Sequence, residues 1–468
     1  MSMRKSLAPL LALFLLTASC VIVAKPVLSS TDVAENSWAS KAPMHQARSS
    51  LGAAAVNGKI YAIGGSTQSW VPFSRPPGVV GTNEEYDPAT DTWRGKMPMP
   101  TPREDFAIAS YEGKIYCIGG YTANGSITGV NEVYDPATNN WETKTPMPTP
   151  RANLQANVVN GTFYLIGGFI STYNVSNVIE VYDPATDKWT QKTPSQYGSY
   201  GYATAALDGK IYVLSGSLDN LGTKMNQIYD TQTDTWTLGS SAPSYFMHGC
   251  AIATTGVMAP KRIYVFDAPC PDLATHPDAP LYSTQVYDPE TDSWVAGADL
   301  PTGQVDAAVA IIDDIIYVIG GYRATYRDIY DWVYGPQITE YATNDQYTPF
   351  GYGTVPPVID VVSPLSQTYN ASSVSLDFTV NKPTEWMGYT LDGKDNVTIN
   401  GNTTLTGLSN GAHNITVYAR DELENTGASE TITFNVEAPF PITLVIAPIA
   451  SIVVVGVGLL FYFRKRRK

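Results

Sequence analysis

The stretch VNEVYDPATNNWETKTPMPTPR at 130–151 decides the fold, because near-copies of it return along most of the first 350 positions. Its tryptophan recurs as Trp38, Trp93, Trp141, Trp189, Trp236 and Trp294, at intervals of 55, 48, 48, 47 and 58 residues. A second signal keeps step with it, an apolar run closing on paired glycines: GKIYAIGG at 58–65, GKIYCIGG at 113–120, GTFYLIGG at 161–168. GKIYVLSG at 209–216, the degenerate KRIYVFDA at 261–268 and DIIYVIGG at 314–321 bring the count of copies to six. Self-similarity at this period means stacked supersecondary units, each unable to bury both of its faces alone.

One unit, 103–141, reads as four short strands. Residues 106–111 alternate, Glu112-Gly113 turns the chain, 114–118 returns as a more apolar strand, and a third strand runs to Tyr134. Asp135-Pro136-Ala137-Thr138 then turns the chain into a fourth strand around Trp141. Asn57-Gly58, Asn160-Gly161 and Asp208-Gly209 repeat the first turn, where glycine supplies the positive φ of a two-residue hairpin. Tyrosine and tryptophan rings at fixed places bury area between neighbouring units, so the units are predicted to close into a ring.

A hydrophobic strand ending in Gly-Gly, then Tyr-Asp-Pro, then Trp six residues beyond the Asp, resembles the kelch pattern. The resemblance covers 36–350 and implies an all-β, six-bladed kelch β-propeller. The last repeat ends in the weak copy EYATNDQY at 340–347, while an unattached fourth-strand copy, NSWASKAPM, stands at 36–44. Kelch propellers commonly let such an N-terminal segment complete the last blade, which would leave Tyr347 at the start of a linker.

The rest of the chain concerns export and anchoring. MSMRKS followed by an apolar run to Ala24 has the form of a signal peptide, 1–24, either cleaved or kept as an anchor. Residues 441–463 carry no charge and are long enough to cross a bilayer as one transmembrane helix, and RKRRK at 464–468 assigns that end to the cytoplasm. Seven N-x-Ser/Thr acceptors, Asn124, Asn160, Asn174, Asn370, Asn396, Asn402 and Asn414, all precede that span and read as candidate glycosylation sites. After a linker at 351–357 the character changes. Val374, Leu376, Phe378 and Val380 alternate, as do Ile432, Phe434 and Val436, with turns at Asp392-Gly393 and Asn410-Gly411. Residues 358–437 thus read as a β-sandwich, with Trp386 as its expected core aromatic. This part resembles the Ig-like modules of archaeal and bacterial surface proteins, which implies a membrane-proximal spacer; Asp421, Glu422 and Glu424 are a weak calcium motif within it.

Strand alternation assigns the tight turns to one face and the long segments to the other: 66–81, 121–129, 169–177, 268–281 and 322–335. Aromatic residues collect there, among them Trp70, Phe169, Tyr121, Tyr322 and Trp332, with Tyr200 and Tyr202 from connections between units. Such side chains suit flat contact with sugars or proteins, or simply pack between loops. Arg48, Arg103 and Arg151 open three of the first strands at that face, where Gly201, His248 and Val305 stand in the other units. They read either as ties between loops or as a cationic arc for a carboxylated sugar.

A chain with 29 basic and 43 acidic residues is a poor partner for nucleic acid. Four cysteines without a CxxC pair call for no structural zinc; Cys250 and Cys270 lie at strand ends that pairing brings together, a candidate disulfide, and Cys117 reads as a buried thiol. The resemblance raises copper oxidase and sialic-acid isomerase chemistry, but His45, His248 and His276 do not supply the oxidase set and no acid pair stands out. No cofactor or metal is called for. The expectation is a cell-surface receptor or adhesion protein, its propeller and Ig-like module outside and its basic end inside, binding an extracellular protein or glycan. A membrane-tethered carbohydrate-active enzyme and a structural envelope component are the alternatives.

Overall fold

The computed structural model describes residues 34–68, 78–171, 174–198, 200–218, 221–244, 249–267, 283–325 and 337–438. The expected signal peptide, the 441–463 span and the basic tail lie outside them. Among the described residues no helix is long and apolar enough to cross a membrane.

The repeat becomes a four-stranded antiparallel sheet, and six such sheets occur among the described residues. In the second sheet Ala107–Tyr111, Lys114–Ile118, Asn131–Asp135 and Asn140–Lys144 pair in chain order. The first turn is the predicted two-residue hairpin, with both central residues left-handed at Asn57-Gly58, Glu112-Gly113, Asn160-Gly161 and Asp208-Gly209. The sixth sheet departs, placing Asp313 and Asp314 there at φ of 50° and 62°. First strands of successive sheets lie against one another in a closed circuit. Gly52–Val56 meets Ala107–Tyr111, then come Gln155–Val159, Ala203–Leu207, Cys250–Ala253 and Ala308–Ile312, and the last returns against Gly52–Val56. Small residues dominate these strands, as in GAAAV and ATAAL, because six backbones converge on one axis.

Between sheets the same contact is made six times. A left-handed Asx residue takes the hydroxyl proton of its own sheet's tyrosine and an N–H from the preceding sheet. Asp91 binds Tyr86 and Ala42, Asn139 binds Tyr134 and Met97, and Asp292 binds Tyr287 and Ser240, all at 2.6–2.9 Å. The carbonyl of that same preceding residue accepts the next sheet's indole: Trp93 to Ala42 at 2.7 Å, Trp141 to Met97 at 2.9 Å, Trp294 to Ser240 at 2.9 Å. Each tryptophan ring also leans on the tyrosine of its own sheet, with centroids about 5 Å apart, an aromatic contact contributing about 0.5–1.5 kcal/mol beyond area burial.

The N-terminal segment closes the circuit. Ser37–Ser40 pairs antiparallel with Asn344–Thr348, so the sixth sheet takes its outer strand from the start of the chain. Tyr347 is fully buried opposite Trp38, which corrects the expectation that it begins a linker. It is the sixth tyrosine of the set, donating to Asn36 at 2.7 Å, while Trp38 donates to Ala298 at 3.0 Å. The weak copy EYATNDQY hid this because Asp-Pro is missing after the tyrosine; the turn became unnecessary once the fourth strand came from elsewhere.

Residues 359–436 form two sheets over one core. Ile359–Ser363, Val374–Val380 and Thr403–Leu405 make one sheet, and Gly411–Arg420 with Trp386–Leu391 and Ile432–Val436 is central to the other. The core is Leu376, Phe378, Leu405, Val417, Ala419 and Phe434. Trp386 is only half-buried and donates to Thr398 Oγ1 at 3.1 Å, so phenylalanines, not this tryptophan, fill the centre. Asp421 is buried against Lys382 at 2.7 Å and is committed to that cation, which corrects the calcium reading.

Candidate functional site

The six first strands enclose an axial cavity of about 490 Å³. Its walls are mostly alanine, valine and isoleucine, with one polar sector where Asn157 Nδ2 and Gln155 Oε1 meet Thr204. At one mouth stand Ser50, Asp105, Asn153, Gly201 and Asp306, each two residues before its first strand and each left-handed, with φ of 51–62°. They are chained around the axis: Ser50 N–H donates to Asp306 O at 2.9 Å, Asp105 N–H to Ser50 O at 3.1 Å, and Asn153 N–H to Asp105 O at 2.8 Å. Gly201 N–H continues the chain to Asn153 Oδ1 at 2.8 Å. A left-handed backbone here turns each N–H sideways toward the preceding sheet, which explains the Asp, Asn, Ser and Gly side chains. Sequence reading missed this mouth, although small residues in the first strands were its signal.

The same end of the molecule carries the long connections. Between second and third strands the chain builds extra hairpins: Phe169–Ser171 with Asn174–Val175, Ser217–Leu218 with Leu221–Gly222, and Tyr322–Thr325 with Gln337–Glu340. Tyr121–Thr122 pairs instead with Arg103–Glu104, folding its connection down. Phe169 is half-buried and stacks on Tyr200 at 4.3 Å, and Ile170 beside it is 37% exposed. Tyr322 is half-buried, whereas Tyr121, Tyr200 and Tyr202 are buried. Tyr121 therefore packs under the rim and does not offer its ring to a ligand. Trp70 and Trp332 lie outside the described residues, as do His248, His276 and the pairing of Cys250 with Cys270.

Arg48, Arg103 and Arg151 are each 0% exposed, which fits the reading of them as ties and corrects the alternative of a cationic arc open to a ligand. Arg103 donates Nη1 to Gly119 O at 2.8 Å and Val130 O at 3.0 Å, Nη2 to Glu132 at 2.8 Å, and Nε to Thr101 O at 3.2 Å. Arg48 repeats the set with Gly64 O, Thr82 O and Glu84, and Arg151 with Gly167 O, Val178 O and Glu180. The arginine carbonyls act across the boundary, accepting from Gly321, Gly65 and Gly120 of the preceding sheet at 2.8–2.9 Å. The first glycine of each pair is required there: a Cβ on Gly119 would sit 2.6 Å from Arg151 O. Burial lowers the Arg48 guanidinium to about 10, against the pull of Glu84, and lowers Arg151 likewise. The carbohydrate-enzyme alternative leaned on these arginines, and their donors are spent inside the fold.

Their partners Glu84, Glu132 and Glu180 went unread in sequence, as did the sixth-sheet counterpart. Gln304 is buried where the arginine would stand and donates Nε2 to Asp345 at 3.1 Å and Thr343 at 2.8 Å. Burial without a cation pushes the Asp345 carboxyl upward, the reverse of an ion-paired acid. Cys117 is a free, buried thiol, pushed up to about 12 by desolvation, and is inert. Among the described residues no group of three or more His, Cys, Asp or Glu is arranged to hold a metal ion.

A ring of antiparallel sheets around an axial cavity, with tight turns at one end and hairpins at the other, is a β-propeller. Residues 52–266 match the model of the KLHDC2/KLHL20/DRC7 Kelch-repeats domain, and this stretch carries kelch repeats. It is 44% identical over 78 residues to an influenza virus NS1A-binding protein homolog from Mus musculus, covering 17% of this chain and 11% of that one. Beta-scruin from Limulus polyphemus is 35% identical over 91 residues, 19% and 9% of the two chains, and an F-box/kelch-repeat protein from Arabidopsis thaliana 31% over 111 residues, 23% and 28%. The matched region is thus about a tenth of the first two relatives. Among solved structures YjhT is similar at 18% identity and a TM-score of 0.48, covering 60% of this chain and 92% of its own.

Proposed function

We propose that this chain is a single-pass cell-surface binding protein: a six-bladed kelch propeller, an Ig-like module and a membrane anchor, with the hairpin-bearing face as its contact surface. The observation that carries the reading is the division of labour between the two ends of the propeller. One end consists of tight turns, apart from the long first turn of the fifth sheet; the other sets hairpins of varied length over a mouth held by a chain of hydrogen bonds, the arrangement in which a rigid scaffold presents variable loops. Kelch relatives whose names record binding to a protein favour a macromolecular partner, here an extracellular protein or glycan. All seven N-x-Ser/Thr asparagines are exposed, which supports an extracellular placement, and the uncharged 441–463 span before RKRRK supplies the anchor.

Binding of the purified chain to glycan and surface-protein arrays tests the reading, with Phe169→Ala/Ile170→Ser as the companion variant. The expected result is a hit that the double variant weakens at least tenfold, a loss of about 1.4 kcal/mol, with the melting temperature unchanged. Silence on both arrays, or a hit indifferent to every hairpin substitution, rejects this face. Protease shaving of intact cells tests the placement: peptides around Trp93 should be released while the basic end stays protected.

A further inference from the structure

The segment joining propeller to sandwich is held at every step, and on the end of the propeller opposite the hairpins. In the sixth sheet Asp314 occupies the turn position that glycine fills in the first four, and its buried carboxylate accepts four backbone N–H groups, those of Thr255, Val257, Met258 and Ala259, at 2.6–3.2 Å. This fixes the long first turn of the fifth sheet as a seat. Phe350 N–H donates to Tyr264 Oη at 3.1 Å, Gly351 packs on Pro260 and donates to Glu35, and Gly353 N–H donates to Met258 O at 2.7 Å. From the sandwich, Asn425 Nδ2 reaches Gly353 O at 2.7 Å, and Lys382 donates both to Val355 O and to Asp421. Gly353 therefore hands its N–H to one domain and its carbonyl to the other. Its φ of +79° is a conformation that glycine adopts without strain and L side chains rarely do, and a Cβ there would also press on the Leu423 side chain. Lower down, a Cβ on Gly427 would run into the Pro357 carbonyl oxygen, so the strand Thr426–Ala428 is shaped to the joint as well.

We infer that the sandwich is a rigid strut docked on the tight-turn end of the propeller, not a bead on a flexible tether, and that it holds the hairpin-bearing face turned away from the sandwich. This rests on the reading of that face as the contact surface. A rigid mount restricts the orientations a partner meets and lowers the ordering cost of binding at a crowded surface.

Hydrogen exchange read by mass spectrometry on the full chain in detergent tests the joint without any ligand, so its failure leaves the binding-face reading standing. Amides of 351–355 should exchange at least about a hundredfold slower than an unstructured peptide, as in cooperatively closed structure. Asn425→Ala and Asp314→Asn should each raise that exchange at least about tenfold, with Leu376 and Ile60 unchanged as reporters of the two cores. Lys382→Met is the harsher variant; if Leu376 exchange shows that it unfolds the sandwich, the other two decide. Free-chain exchange of 351–355 in the unmodified protein overturns the strut, and so does a joint indifferent to both Asn425→Ala and Asp314→Asn.

Discussion

At the scale of single residues, the buried arginines show how a charged side chain near a binding face becomes part of the frame. Arg103→Ala strands Glu132 in a site with almost no water, and the expected loss is about 3–5 kcal/mol in chemical denaturation, enough to threaten folding. The double variant Arg103→Met/Glu132→Leu, which removes both charges, should recover most of it; equal losses in both would show that the backbone contacts, not the ion pair, hold the site. Asp345 makes the opposite case. Its folded carboxyl is raised by burial, so its contribution is fully present below the unfolded value of about 4 and is lost as pH rises through the raised folded value. Asp345→Asn should therefore be neutral or stabilising at pH 7, and should flatten the stability profile above pH 4 when melting is followed across that range. The Arg pattern at 48, 103 and 151 was legible in sequence, and so was its role as a tie between loops as one of two readings; only the structure decides between tie and cationic arc, because exposure depends on where the glycine pairs of the same sheet fall.

At the scale of the element, the repeated clasp of tyrosine, Asx residue and tryptophan joins each sheet to the one before it, and the N-terminal strand supplies the last link. Asn36 accepts both Tyr347 Oη at 2.7 Å and Ala298 N–H at 2.5 Å, while Trp38 packs between Tyr347 and Phe266. Trp38→Ala is expected to cost about 3 kcal/mol and to speed unfolding. Asn36→Ala leaves a buried hydroxyl and an N–H without partners, for about 1–3 kcal/mol. Urea melts of the two variants check this; a loss under about 0.5 kcal/mol in both would mean that the sixth sheet closes without the N-terminal strand. The spare copy at 36–44 suggested that closure in advance, whereas Tyr347 was misjudged because it is followed by Thr348 and not by the aspartate that follows the other five tyrosines.

At the scale of the whole molecule, propeller and sandwich respond differently to pH. In the sandwich His413 is buried, with Nδ1 2.8 Å from Asp392 and Nε2 2.8 Å from Ser409 O, an arrangement that suits the doubly protonated ring. The Ser409 carbonyl and then Asp392 raise the imidazole against burial. Asp392 is held low by His413 and the Asn414 N–H against its own desolvation. The raised histidine stabilises fully below its unfolded value of about 6.5 and ceases to do so as pH climbs through the folded one; the depressed Asp392 helps above about 4 and fails as pH falls. Sandwich unfolding, followed by hydrogen exchange at Leu376 in the full chain, should thus be slowest between about pH 4 and 6.5. His413→Gln should remove the alkaline slope, and a slope that survives it would assign the pH response to another group.

Periodicity by itself determined the six-unit array, the hairpin turns and the sandwich strands, because backbone geometry writes itself into local pattern: alternation of period two, glycine where φ is positive, Asx before a turn. That local grammar also divided the propeller into a tight-turn end and a long-loop end. What a side chain does once its strand is placed was decided only in three dimensions. Arg48, Arg103 and Arg151 point inward to glutamates 29 to 36 residues away, Tyr121 tucks beneath the rim, Asp421 turns to Lys382, and Gln304 finds Asp345. Each of these pairings is long-range in sequence and set by which strands become neighbours. Their energy comes from desolvation, a property of the assembled environment that no window of sequence contains.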